Sequence, residues 1–98
     1  MLMNGKTVFT ITYDINGSNY QYLQINGEGE KYDQSGSIEV EKGDFVRCWA
    51  YRNQTIYLND VAVATGNAIT NTVYDFYPGS NATISKRGTS LDMYIVTE

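Results

Sequence analysis

Apolar and polar residues alternate in short runs along this chain, and clusters of glycine, asparagine, aspartate and serine separate the runs. From Thr7 to Tyr13 the pattern places Phe9, Ile11 and Tyr13 on one face and Val8, Thr10 and Thr12 on the other. This predicts a first strand after a short leader over residues 1–6. Asp14-Ile15-Asn16-Gly17-Ser18-Asn19 holds an Asn-Gly pair among polar neighbours and reads as a turn. Tyr20 to Ile25 predicts a second strand with Leu23 and Ile25 inward. Asn26-Gly27-Glu28-Gly29-Glu30 is too glycine-rich for regular structure and reads as a loop, with Tyr32 tucked back over the core.

The central stretch, Ile38 to Val63, reads as two β-hairpins joined end to end. Ile38 and Val40 alternate with Glu39 and Glu41, Lys42-Gly43-Asp44 breaks the run, and a second run starts at Phe45. That second run is apolar on both faces. Val46, Cys48 and Ala50 point one way, and Phe45, Arg47, Trp49 and Tyr51 point the other. Arg52-Asn53-Gln54 turns the chain into Thr55–Leu58, and Asn59-Asp60 turns it again into Val61–Val63. Beyond lies a looser connection opened by Thr65-Gly66-Asn67, then a strand from Thr72 that Pro78-Gly79 stops. Two further short runs carry Ala82, Ile84 and Lys86, then Leu91, Met93 and Ile95.

No window shows the spacing of an amphipathic helix. About eight or nine short antiparallel strands, with turn signals at roughly 8–12-residue spacing, are the pattern of a sandwich. The expected fold is all-β, with a single sandwich domain over residues 7–98; the alternation fits a Greek key and a jelly roll equally.

Composition narrows the chemistry. The chain has 98 residues, enough for one core, and a formal net charge of −4. An acidic chain with one short basic pair, Lys86-Arg87, is not built to hold a phosphate backbone. No apolar run approaches a membrane span, and no basic segment followed by an apolar one marks an export signal. The lone cysteine, Cys48, sits among small inward residues and reads as a buried apolar group in a chain folded in a reducing cytoplasm. Nine tyrosines, three phenylalanines and one tryptophan indicate sheet, interface, or both.

The chain contains no histidine, the commonest general base and transition-metal ligand. No nucleophile sits in a recognisable motif. Glu39 and Glu41 on one strand face lack the contrasting environments that paired catalytic carboxylates need. The Asp14–Asn19 segment fails as a calcium loop, since its glycine comes fourth and the twelfth position is Ile25. The expectation is a protein without catalytic residues, cofactor or metal.

Two surfaces remain as candidates. Phe45, Arg47, Trp49 and Tyr51 form either a face covered by the leader or by the Asn26–Tyr32 loop, or a docking surface for a protein partner. Stacking of a carbohydrate on Trp49 would use the same residues. Glu28, Glu30, Asp33, Glu39 and Glu41 form an alternative acidic face able to occupy a basic groove.

From Leu23 onward the sequence resembles a small Ig-like β-sandwich module of bacteriophage virion proteins. The likeness rests on Leu23-Gln24-Ile25-Asn26-Gly27, Tyr32, Gly36, Ile38-x-Val40, Lys42-Gly43-Asp44, Ile56-x-Leu58-Asn59, Tyr74-x-Phe76, Asn81-x-Thr83-Ile84 and Tyr94-Ile95, in that order. The resemblance implies a structural role on a phage particle, as a capsid decoration protein, head fibre or small tail accessory, folded in the host cytoplasm and binding virion subunits or itself. Two other expectations stand beside it: a phage-encoded inhibitor of a host defence protein acting through the acidic face, and a carbohydrate-binding adhesin.

Overall fold

A computed structural model describes residues 2–16 and 20–98. Its strands are β1 (Leu2–Met3), β2 (Lys6–Asp14), β3 (Tyr22–Ile25), β4 (Glu28–Tyr32), β5 (Ser35–Glu41), β6 (Val46–Ala50), β7 (Thr55–Leu58), β8 (Val61–Thr65), β9 (Thr72–Phe76), β10 (Ala82–Lys86) and β11 (Met93–Thr97). They form two sheets. The larger runs β1-β2-β10-β11-β7-β8, with β5 also paired to β2, and the smaller runs β4-β3-β6-β9.

The expected all-β sandwich-type fold is what the chain adopts, and alternation is the reason. Val46, Cys48 and Ala50 of β6 are fully buried, as are Leu23 of β3 and Ile11, Ile56, Ile84, Met93 and Ile95 of the larger sheet. These side chains meet in one core, to which Tyr13, Val40 and Phe76 also belong. Burying each large aliphatic side chain is worth about 1.5–3 kcal/mol, so this layer supplies most of the driving force.

Several local expectations are revised. The described residues form eleven strands, because two very short hairpins add elements that periodicity does not reveal. Asn4-Gly5 and Asn26-Gly27 both have positive φ at each residue, the geometry of a two-residue type I′ turn. The first folds the leader back so that Leu2 and Met3 pair with Thr7 and Lys6. The second joins β3 to β4, so the segment read as a loop is in part a strand. Gly29, at φ +80°, accompanies the register break between Leu23 and Ile25 that lets this glycine-rich strand pair at all.

Ile38 to Val63 contains one hairpin, not two. β7 and β8 pair across Asn59-Asp60 as expected. β5 and β6, however, belong to different sheets. β5 pairs with β2 along its whole length, matching Ile38 to Ile11 and Val40 to Phe9, while β6 pairs with β3 and β9. At the crossing, the Asp44 backbone N–H donates to the Glu41 carbonyl at 3.0 Å while the Asp44 carboxylate accepts the Glu41 N–H at 3.0 Å. Both ladder positions of Glu41 are thereby occupied locally. Two pairings are also parallel, β2 with β10 and β11 with β7. The Asn16-Gly17 turn falls partly on residues 17–19, outside the described residues.

Candidate binding face

The outward positions of the smaller sheet are set by its register. Tyr22, Trp49 and Val73 form one cross-strand row, and Gln24, Arg47 and Asp75 form the next. Tyr22 stacks on Trp49 with ring centroids 5.4 Å apart and planes 14° from parallel. The Lys31 ammonium lies 4.8 Å from the centre of the Tyr22 ring, extending the stack toward β4.

Arg47 grips Asp75 in a bidentate pair, with Nε donating to Oδ1 at 2.8 Å and Nη2 to Oδ2 at 2.9 Å. This hydrogen bonding holds the Asp75 carboxyl below its ordinary pKa, against the opposing effect of burial, and raises that of Arg47. The guanidinium also lies 5.5 Å from the Phe45 ring centre, and Phe45 in turn meets Tyr77 at 5.7 Å. At the opposite end of the face, Tyr51 meets Tyr20 at 4.2 Å and carries the Arg52 guanidinium over its ring and on its hydroxyl.

The structure therefore brings Phe45, Arg47, Trp49 and Tyr51 together on one side of β6, all half-buried. The Asn26–Tyr32 segment reaches only part of them. A Cβ added to Gly27 would lie 2.8 Å from Arg47 Nη1, so the turn abuts the guanidinium, and Lys31 caps Tyr22. The leader lies on the other sheet. Tyr20, Val73 and Tyr77 remain exposed around the face.

An open groove of about 470 Å³ adjoins Trp49, lined by Trp49, Tyr51, Arg52, Ile69, Thr70, Asn71 and Val73. Ile69 is 83% exposed, the highest value for a large apolar residue among the described residues. The loop carrying it is fixed by Asn67, whose Oδ1 accepts from the Ile69 and Thr70 N–H groups at 2.8 Å each and from the Thr70 hydroxyl at 3.2 Å. Beneath it, the Gln54 carbonyl accepts from Gly66 N–H at 3.0 Å and from the Thr72 hydroxyl at 2.7 Å. From the sequence alone this loop reads as a loose connection. The Asn67-x-Ile69-Thr70 spacing, an asparagine able to accept from N–H groups two and three residues on, was the available signal.

The acidic residues do not make one patch. Glu30 and Asp33 lie near the Tyr13 hydroxyl, where burial first, and then Tyr32 and these carboxylates, push the phenol pKa up. Glu39 and Glu41 sit toward the other end of β2, opposite Thr10 and Val8, and Glu41 accepts from the Lys6 ammonium at 3.3 Å. Glu28 stands at the Asn26-Gly27 turn, opposite Ile25. Cys48 is fully buried, and burial pushes its thiol pKa far up. Among the described residues, no three His, Cys, Asp or Glu side chains cluster as a metal site.

Compared with protein-family models, with curated proteins and with solved structures, the chain matches none.

Proposed function

We propose that this chain is a non-catalytic structural protein of a bacteriophage particle that docks on other virion subunits through the outer face of its smaller sheet. The observation that supports this is the fixed aromatic and arginine array of Phe45, Arg47, Trp49 and Tyr51, held by stacking and by the bidentate Arg47–Asp75 pair. Tryptophan, tyrosine and arginine carry most of the energy in protein interfaces. A face that is ordered before the partner arrives gives up little conformational entropy on docking. The order of turns and strands that resembles phage modules supports the same reading. Exposed sheet edges are a ready route to self-association in a symmetric assembly.

The test is quantitative mass spectrometry on purified particles of the phage encoding the chain. A fixed copy number relative to the major capsid protein is expected, and absence from particles would sink the proposal. The companion variant, Trp49→Ala with Tyr51→Ala, should retain the fold and lose particle association by about 30-fold or more, the scale of a hot-spot truncation.

A further inference from the structure

We infer that the groove beside Trp49 is a saccharide site, taking a pyranose ring against the part of the indole that lines it. Tyr22 covers one face of Trp49 and does not line the groove, so the groove lies on the other side, toward Val73. Tyr51 cannot offer a stacking face in the same way, because Tyr20 and Arg52 already occupy its ring. It serves as a wall.

The remaining lining divides by chemistry. Trp49, Val73 and Ile69 supply apolar surface, while Thr70, Asn71 and Arg52 supply hydroxyl, amide and guanidinium groups. A pyranose has the same division, with an apolar C–H face and a rim of hydroxyls. A purely apolar occupant would cover the Thr70, Asn71 and Arg52 groups without satisfying them, whereas the hydroxyls of a sugar pair with them. Among the described residues Arg52 is the only charged lining group, so the groove admits neutral and carboxylated sugars and offers too little positive charge for a polyphosphate. The volume falls in the range of small-molecule sites.

The wall opposite Trp49 is also built in advance. Asn67 holds Ile69 and Thr70 through three hydrogen bonds to one oxygen, and Asn53 N–H donates to the Asn67 carbonyl at 3.1 Å. A wall ordered before the ligand arrives gives up little conformational entropy on binding. The inference goes beyond the virion role and requires no virion partner.

Trp49 is the only tryptophan, so its emission and its indole N–H resonance report on the groove directly. The isolated chain is titrated with methyl pyranosides and disaccharides of neutral hexoses, N-acetylhexosamines and uronic acids. At least one is expected to give a saturable change in emission or indole shift. Asn71→Ala, an exposed change that leaves the core untouched, should weaken that sugar about tenfold, as loss of one to two hydrogen bonds implies. Glu39→Gln, on the other sheet, should leave it unchanged. No saturable response from any panel member, or equal affinity in Asn71→Ala, would overturn the site. Particle association of Asn71→Ala should match the parent chain, so failure of the sugar site and failure of the virion role are told apart.

Discussion

Gly66 and Thr72 are packed so closely that a Cβ at position 66 would lie 2.1 Å from the Thr72 hydroxyl oxygen. The same added carbon would meet Asn53 N and the Gln54 carbonyl oxygen at 3.0 Å each. This glycine has no positive-φ requirement. It is small because three elements converge on it: the turn after β6, the end of β8 and the start of β9. The loop that carries Ile69 is anchored through this point.

Gly66→Ala should therefore destabilise the fold by about 2–3 kcal/mol, the cost of forcing a methyl into a packed site. Thr72→Ala removes the nearest obstacle but also a hydrogen bond to the Gln54 carbonyl, and should cost about 1 kcal/mol alone. The double variant should be less destabilised than the two costs combined, since the larger clash is gone. Urea denaturation of all four chains checks this, and strict additivity would count against the packing argument.

Tyr22→Leu keeps apolar bulk beside Trp49 and loses the ring. Stability should fall by about 1 kcal/mol, the scale of an aromatic pair beyond its area. Trp49 emission should shift to the red as water reaches the uncovered indole face. An unchanged spectrum would mean that Tyr22 does not shield Trp49 in solution.

Asp75 carries a pH signature. Its folded pKa lies below the ordinary value of 3.8, chiefly through the hydrogen bonds from Arg47. Its contribution is thus fully present above that value and is lost as pH falls through the folded pKa. Comparing Asp75→Asn with the parent chain, the stability gap should be constant from neutral pH to about pH 5 and should narrow below about pH 4. Thermal melts across that range would show it. A gap that widens on acidification contradicts the sign.

Cys48 should be unreactive in the folded chain. Its thiol is fully buried and held protonated by desolvation, so a disulfide reagent should modify it only when the core opens. The labelling rate should rise with urea in step with unfolding. Cys48→Ser should cost about 1–3 kcal/mol by placing a hydroxyl among Leu23, Val46 and Ala50, and Cys48→Ala should cost less.

The sequence carried the layer structure well because alternation is a local property. Val46, Cys48 and Ala50 can be assigned to the core from their spacing alone, and so can the face of Phe45, Arg47, Trp49 and Tyr51. Pairing partners are not local. Nothing in Lys42-Gly43-Asp44 distinguishes a hairpin from a crossing between sheets; the difference lies in the partners, β2 for β5 and β3 with β9 for β6. Short hairpins were legible in principle at Asn4-Gly5 and Asn26-Gly27, yet their flanking runs are too brief to show alternation. The groove wall was hidden for another reason: Ile69 and Asn71 acquire meaning only when the loop is brought opposite Trp49, on the far side of the groove.

The parallel pairing of β2 with β10 sets a clock on folding. Ile11 sits opposite Ala82, and Thr10 N–H donates to the Asn81 side chain at 2.9 Å, partners 71 positions apart. At about 5–20 residues per second, a ribosome finishes the second partner roughly 4–14 s after the first. Once β5 has been made, partway through that interval, β2 can pair with it, but its other side still has no β10. An apolar strand with one bare edge is the state in which nascent chains of one kind find each other. Synthesis rate and chaperone access, more than equilibrium stability, should then govern how much of this protein is recovered as single folded copies.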